Sequence, residues 1–233
     1  MGRMVEQAAM RRGHTIACRI DAGDEEKFAS EAFRTADIAI EFSNPSAAPS
    51  NIERCLEAGV PVVVGTTGWS SDLERLEALC CEKRGALFYA SNFSVGVCIF
   101  RSINRFLAKA MRSFPQYRAS IEETHHIHKL DHPSGTAITL AEELVAARED
   151  LSGWSETAGD GELPVTSLRE GEVAGIHTIK WDSPADTISL THSAKGREGF
   201  AEGAVDAAEW LQSRKGCFTM TDYLADVAPE LIE

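Results

Sequence analysis

The chain has 233 residues, of which 43% are hydrophobic and 25% are charged, a globular composition sufficient for one large domain or two small ones. Lysine and arginine number 23 against 36 acidic residues, and the net charge of −13 argues against nucleic acid and anionic membranes as partners. We find no apolar run of the roughly 20 residues that a membrane span needs, and we expect no signal peptide. Six scattered cysteines suit a reducing compartment, so we expect a cytoplasmic protein.

Helices and strands alternate over the first half of the chain, at a spacing typical of a parallel α/β sheet. A capping-box pattern, Ser71 followed by Glu74, predicts the start of one helix, and Gly13 is placed to end another. The predicted helices of this half are Met1–Arg12, Asn51–Ala58 and 71–83, and its predicted strands are His14–Asp21, Ala36–Phe42, Val60–Val64 and Ala86–Ala90.

The pattern changes after about residue 95, where longer helices and alternating strands follow. The predicted elements are helices Val97–Phe114, Thr136–Arg148 and Glu198–Arg214, strands Tyr117–His125, Gly175–Trp181 and Asp186–His192, and a polar loop over Leu151–Pro164. We therefore predict an α/β, Rossmann-like nucleotide-binding domain formed by residues 1–94 and 201–233. Residues 95–200 are predicted to form an α+β substrate-binding and oligomerisation domain with an open mixed sheet.

The most informative segment is Glu123–Ala137, which holds four of the seven histidines and one lysine between His125 and His132. The following Pro-Ser-Gly-Thr sequence opens a helix, whose N–H groups and hydroxyls can hold an anion. Histidine and lysine supply protons near neutral pH, so the segment indicates proton transfer to a substrate that carries carboxylates. A purely structural histidine cluster is the alternative. We expect no metal, because H-E-x-x-H is absent and Lys129 would repel a cation.

Two further turns follow predicted strands, and ligands of open α/β sheets bind at the carboxyl ends of strands. The turn Gly65–Gly68 can approach a cofactor closely, and Asn92 with Phe93 can supply a polar contact and an apolar wall. Taken alone, each is equally typical of an ordinary tight turn. Asp21 ends a predicted strand where an acid bonds the ribose 2′-hydroxyl, although an ordinary solvated loop acid would look the same. No basic residue follows in Ala22–Glu26, which favours NADH over NADPH.

Five ordered motifs resemble those of the dihydrodipicolinate reductase (4-hydroxy-tetrahydrodipicolinate reductase) family. The segment Glu123–Ala137 is similar to the family pattern E-x-H-H-x-x-K-x-D-x-P-S-G-T-A. The other four are Val64–Gly68, Ala90–Gly96, Gly175-Ile-His-Thr-Ile and Phe200–Ala204.

The resemblance implies NAD(P)H-dependent reduction of 4-hydroxy-tetrahydrodipicolinate in lysine and diaminopimelate biosynthesis, by a homotetramer assembled through the sheet of the second domain. It assigns proton transfer to His125 and Lys129. Substrate carboxylates are assigned to His126, Ser134, Gly135 and Thr136. The cofactor is assigned to Gly2, Asp21, Gly65, Thr66, Thr67, Ala90, Ser91, Asn92 and Phe93.

The chain departs from the family at its beginning, where Met1–Met4 matches only the tail of the glycine-rich loop. We expect roughly ten further residues upstream, the length of one strand and a turn, with Met1 as an internal methionine. A genuinely short protein with impaired cofactor binding is the alternative. Two other functions stay open: a non-catalytic dicarboxylate-binding homologue, and another NAD-dependent dehydrogenase of amino-acid metabolism. The second has no reason to carry the histidine cluster.

Overall fold

The computed structural model describes residues 1–231, which divide into two compact units. One contains residues 1–95 and 198–231, and the other contains residues 96–197. The helices of this part of the chain are α1 (Gly2–Arg11), α2 (Glu31–Arg34), α3 (Ala48–Ala58), α4 (Leu73–Glu82), α5 (Val95–Ala110), α6 (Gly135–Ala147), α7 (Glu198–Leu211) and α8 (Met220–Val227). Its strands are β1 (Ala39–Glu41), β2 (Val62–Val64), β3 (Ala86–Tyr89), β4 (Arg118–His125), β5 (Gly153–Ser155), β6 (Glu162–Arg169), β7 (Ile176–Asp182), β8 (Thr187–Ser193) and β9 (Gly216–Phe218). None of these helices is long and apolar enough to cross a membrane.

The first unit is built on a parallel sheet in the order β1-β2-β3-β9. The central strand β2 consists of three fully buried valines, as expected for a parallel strand that is covered on both faces. Ile52 of α3 and Leu76 of α4 belong to the hydrophobic cluster that includes Val62 and Val64. Because all four strands are parallel, the turns that follow β2 and β3 lie at the same edge of the sheet.

Two predictions for the first unit are wrong. Residues 14–20 form no strand, because they make no backbone ladder to β1, which is the edge strand of the described sheet. The capping box at Ser71 is also absent. A 3-10 turn over Ser70–Asp72 precedes α4, so Ser71 lies inside that turn and the helix begins after Asp72 without a side-chain cap.

The second unit contains a mixed five-stranded sheet in the order β5-β6-β4-β7-β8. Strand β4 pairs in parallel with β6 and antiparallel with β7. Ile121 and Ile179 point to one face, where they join Leu140 and Leu144 of α6 in the core. The register then places Glu123 opposite His177 and His125 opposite Arg169. The predicted open mixed sheet is confirmed.

Five of these helices and strands, namely α2, β5, β6, β9 and α8, lie where a loop or no element is predicted. The predicted loop Leu151–Pro164 contains β5 and the beginning of β6. Leu163 and Val165 alternate inward as strand residues, but Pro164 between them interrupts the apolar pattern. Strand β9 and helix α8 were likewise not predicted, and α8 begins with a capping box formed by Thr219 and Asp222.

Candidate active site

The carboxyl end of β4 carries the polar pair at the centre of the site. The side chains of Glu123 and His125 project toward the same face as the core residue Ile121, since alternate strand residues share a face. Glu123 is completely buried and His125 is 9% exposed. A buried carboxylate must be hydrogen-bonded or neutralised, so its neighbours define what the site can do.

Glu123 is surrounded by three donors. One carboxylate oxygen, Oε2, bonds His125 Nδ1, and the other accepts from Arg169 Nη1 at 3.0 Å and from the Ser134 backbone N–H at 3.3 Å. Burial raises the pKa of Glu123, but the hydrogen bonds from His125 and Arg169 outweigh it and hold the pKa below the ordinary value. Glu123 is therefore a buried anion at neutral pH.

Opposing influences act on the basicity of His125. Burial lowers its pKa, the Glu123 carboxylate raises it, and the positive charges of Lys129 and Arg169 lower it again, leaving the pKa below the ordinary value. Gly175, with φ of +147°, passes close to the ring: a β-carbon at this position would lie 2.9 Å from His125 Nε2. The imidazole is thus held by Glu123 through Nδ1 and bordered by backbone at Nε2.

A second buried imidazole, His177, lies behind the first. The two rings meet edge to face, with centroids 5.1 Å apart. Burial, followed by the charge of His125, lowers the pKa of His177 to about 4, so it is neutral at pH 7. Its Nε2 is 3.0 Å from Ser134 Oγ, and the same Oγ accepts from the Ala137 N–H at 3.2 Å. Ser134 therefore caps α6 and joins the helix N-terminus to the histidine pair.

The loop between β4 and α6 carries Lys129. Lys129 Nζ donates to both carboxylate oxygens of Asp131, each at 2.9 Å. The Lys129 side chain is mostly buried, with 21% of it exposed, whereas 63% of the Asp131 side chain is exposed. The backbone of the loop is held from β6, because Arg169 donates to the Lys129 carbonyl from Nε at 3.3 Å and to the Asp131 carbonyl from Nη2 at 2.7 Å.

The other predicted substrate residues surround the beginning of α6. Gly135 and Thr136 occupy its first turn, where backbone N–H groups have no partner within the helix. Gly135 is exposed, and a β-carbon there would meet open space. His126 follows β4 directly, and its buried Nδ1 has no hydrogen-bond partner among the described residues. These donors are free of carboxylate partners, which is the chemistry that an anionic ligand requires.

The turn after β2 contains three predicted cofactor residues. The position of a β-carbon on Gly65 is occupied by the Phe42 ring, 2.1 Å from its nearest atom, so glycine is required there by packing within the protein. Thr66 Oγ1 accepts from the Ser43 N–H at 2.8 Å. Thr67 is exposed. Only Thr67 of the three thus presents its side chain to solvent.

The turn after β3 contains four more of the predicted cofactor residues. The Ala90 N–H donates to the Val64 carbonyl at 3.1 Å, which ties this turn to β2. Ser91 is exposed, while Asn92 Oδ1 accepts from the Ser94 N–H at 2.8 Å. Phe93 is only 2% exposed, and its ring packs on Phe88 and Phe42, each 5.8 Å away. Phe93 is therefore a core residue, and the expected apolar wall is not offered by its side chain.

Gly2 and Asp21 are both exposed. Gly2 lies in the first turn of α1, which contains no acidic residue. Asp21 lies in a loop, and its Oδ1 accepts from the Ala22 N–H at 2.8 Å. Because residues 14–20 form no strand, the expectation that Asp21 ends a strand is wrong, although its carboxylate is accessible to a ribose.

Glu123, His125 and His177 also place one potential metal-ligand atom each within 4.8 Å of one another. Both carboxylate oxygens of Glu123 are, however, already hydrogen-bonded, one to Arg169 and one to His125, and His177 Nε2 contacts Ser134 Oγ. A cation would have to displace these bonds beside the Arg169 guanidinium. The donor set thus favours a proton-transfer site over a metal site.

Three residues of this site are absent from the sequence-based assignments. Glu123 and His177 stand inside quoted motifs but received no role, and Arg169 lies on the unpredicted strand β6. Strand register brings the three together, because Arg169 and His177 lie 46 and 54 positions after Glu123 in the sequence. The sequence signal for strand β6, and hence for Arg169, is the alternation of inward-facing residues that begins with Leu163 and Val165.

Two family models match the chain, "Dihydrodipicolinate reductase, N-terminus" over residues 1–93 and "Dihydrodipicolinate reductase, C-terminus" over residues 96–224. The 4-hydroxy-tetrahydrodipicolinate reductase of Christiangramia forsetii is 44% identical over 228 residues, which are 97% of this chain and 95% of that protein. The enzyme of that name from Archaeoglobus fulgidus is 35% identical over 250 residues, which cover 96% of this chain and 95% of that protein. The chain is therefore an oxidoreductase. It belongs to the dihydrodipicolinate reductase family, as its motifs predict.

Solved structures agree at the level of the fold. The dipicolinate-bound dihydrodipicolinate reductase from Paenisporosarcina sp. TG-14 superposes with a TM-score of 0.66 at 22% identity, covering 78% of this chain and 71% of that one. An amine dehydrogenase from Mycobacterium smegmatis gives a TM-score of 0.51 at 12% identity, covering 93% and 90%. The Rossmann-like fold class predicted from the sequence is confirmed.

Proposed function

We propose that this chain reduces 4-hydroxy-tetrahydrodipicolinate to tetrahydrodipicolinate with a nicotinamide cofactor, as a step of lysine and diaminopimelate biosynthesis. One observation carries the proposal: a buried Glu123–His125 pair lies beside the first turn of α6, where unpaired N–H groups are suited to a carboxylate. The relatives that share most of the chain carry the name of this activity.

In the proposed reaction the protein supplies the proton and holds the dianion. His125 and Lys129 are the proton donors, since both are cationic when protonated and neither is fully buried. We assign the substrate carboxylates to the His126 imidazole and to the N–H groups of Gly135 and Thr136 in the first turn of α6. The hydroxyls of Thr136 and Ser134 complete this set, although that of Ser134 also contacts His177. Asp131 neutralises Lys129 until a substrate carboxylate competes for the ammonium group.

The residues of the first unit fit a dinucleotide. The turns after β2 and β3 share the carboxyl edge of a parallel sheet, where Thr67 and Ser91 are exposed to a ligand. Gly65, Thr66, Ala90, Asn92 and Phe93 shape these two turns, and the α1 terminus at Gly2 suits a phosphate. A bound nicotinamide supplies the hydride. We assign the ribose to Asp21 and prefer NADH, because the nearby Lys27 ammonium is held by Asp24 at 2.7 Å.

We further propose a cytoplasmic homotetramer that assembles through the open face of the second sheet. That face carries half-exposed polar side chains, among them the ion pair of Glu122 with Lys180 at 3.2 Å and the Thr178–Thr191 hydrogen bond at 3.1 Å. The resemblance to the family assigns subunit contacts to this sheet. Light scattering should give four times the 25.3 kDa chain mass, and a monomer would contradict this assembly.

The direct test is cofactor oxidation in the presence of the product of dihydrodipicolinate synthase. We expect oxidation of NADH that requires both the substrate and the protein and that survives a metal chelator. Calorimetry with pyridine-2,6-dicarboxylate accompanies the assay. Dicarboxylate binding without any cofactor oxidation, also in an N-terminally extended chain, would replace the reductase by a non-catalytic dicarboxylate-binding protein.

A further inference from the structure

Arg169 makes an unusual number of contacts for a residue that no motif singles out. Its guanidinium donates to the Glu123 carboxylate at 3.0 Å, to the Lys129 carbonyl at 3.3 Å, to the Asp131 carbonyl at 2.7 Å and to its neighbour Leu168 at 2.6 Å. Arginine has five N–H donors in a fixed plane, and the first three of these contacts use all three nitrogens. Only 20% of the side chain is exposed.

These contacts connect two groups that approach the site from different directions. Glu123 holds the His125 ring from within strand β4, whereas the carbonyls belong to the loop that carries Lys129. Arg169 itself is fixed by strand register, because its backbone lies opposite His125 in the parallel β4–β6 pair. One planar group therefore sets the relative position of a strand residue and a loop residue.

We propose that Glu123 and Arg169 form a positioning pair, in which Glu123 orients and electrostatically supports His125 while Arg169 fixes Glu123 and the Lys129 loop together. The inference rests on the proposed function for the roles of His125 and Lys129. Neither member of the pair is proposed to touch the reacting atoms, so both act through another residue.

Glu123 selects the proton arrangement of the His125 ring. A carboxylate on Nδ1 keeps a proton there, so that Nε2 is the atom that gains and loses the exchangeable proton. The charged and titratable groups around this ring are Glu123 on its own strand, Arg169 on β6, His177 on β7 and Lys129 on the loop. Removal of the anion and removal of the cation should therefore have opposite effects on the proton affinity of His125.

Three substitutions separate these effects. Glu123→Gln removes the anion and should shift the His125 titration to lower pH by about one unit, whereas Arg169→Met should shift it to higher pH. Arg169→Lys retains a positive charge but cannot reach both loop carbonyls and Glu123 at once. It should leave the titration within about half a unit of the wild type while lowering kcat about 10-fold or more through misplacement of Lys129.

The matched control is Glu142→Gln. Glu142 is an exposed carboxylate on α6 that the proposed site and subunit contacts do not use. We expect this variant to retain the His125 titration and kcat of the wild type. Circular dichroism and unfolding midpoints establish which variants are folded.

The titration is measured by NMR on the full chain with ¹³C-labelled histidine, and the His125 signal is assigned by its loss in His125→Gln. This readout needs no turnover, so it is independent of the proposed activity. Opposite shifts in Glu123→Gln and Arg169→Met support the pair, and equal or absent shifts in folded variants overturn it. A wild type that shows the expected titrations but oxidises no cofactor would contradict the proposed function alone.

Discussion

Gly175 leaves no room for a side chain beside the imidazole of His125, because a β-carbon at Gly175 would lie 2.9 Å from Nε2. The backbone here also has a φ of +147°, a conformation that residues with a side chain rarely adopt.

We therefore expect Gly175→Ala to displace the His125 ring, lower kcat about 10-fold or more, and reduce the free energy of unfolding by about 1–3 kcal/mol. Steady-state kinetics and urea unfolding measure the two effects. The control is Gly171→Ala, which has a positive φ of 46° but open space around its β-carbon, so it should lose some stability and retain kcat. Unchanged kinetics in Gly175→Ala would show that this contact does not position the ring.

Replacement of either proton donor should remove most of the activity. We expect Lys129→Ala and His125→Ala each to lower turnover about 100-fold or more, because general acid catalysis contributes about two to four orders of magnitude. Lys109→Ala, in the last turn of α5, is a control that removes an exposed lysine. Near-normal rates in both folded variants would contradict the assigned roles.

Ser134 combines a helix cap with the proposed substrate site. Ser134→Ala removes the bonds to the Ala137 N–H and to His177, so we expect a loss of about 1 kcal/mol of stability and weaker dicarboxylate binding. Ser30→Ala is the matched control, because Ser30 caps α2 by accepting from the Phe33 N–H at 3.2 Å. It should cost similar stability and leave the affinity measured by calorimetry unchanged. Equal affinities in both variants would remove Ser134 from the substrate site.

His177 makes stability depend on pH. Its pKa is about 4 in the folded protein against an ordinary 6.5, so the unfolded chain binds more protons between these values. The stabilisation is fully present above about pH 6.5 and decreases as the pH falls toward about 4, by at most roughly 3 kcal/mol.

His177→Gln should therefore flatten the decrease in unfolding free energy measured by urea denaturation across this range. His128→Gln, which replaces a side chain that is 68% exposed, should retain the slope of the wild type. An unchanged slope in a folded His177→Gln variant would contradict the assignment.

Asp21 is the test of cofactor preference. Asp21→Ala should lower kcat/KM with NADH. It should also raise the ratio of kcat/KM with NADPH to kcat/KM with NADH about 10-fold, because a 2′-phosphate no longer faces a carboxylate. Asp37→Asn changes another exposed acid of the same unit and should leave the ratio unchanged. If the two variants have the same ratio, the ribose is held elsewhere.

Sequence patterns predicted those features of the fold and site that depend on residues close together in the chain. The segment Glu123–Ala137 indicated the histidine cluster and the α6 terminus, and the valines of β2 indicated a buried strand. Contacts that depend on strand register could not be predicted from the sequence. Arg169, for example, lies beside His125 only because β4 pairs with β6. Gly65 was interpreted as space for a cofactor, whereas the Phe42 ring fills that space. A sequence shows that a glycine is present but not which neighbour requires it.

The buried Glu123–Arg169 pair also bears on how the product leaves. With His125 protonated, these three groups carry a net charge of +1, and after the proposed proton donation they are neutral. A bound dianion is thus attracted most strongly before the transfer and less strongly after it, because buried charges are weakly screened. The proton transfer that completes the reduction therefore also weakens the electrostatic attraction for the product, until solvent returns a proton to His125.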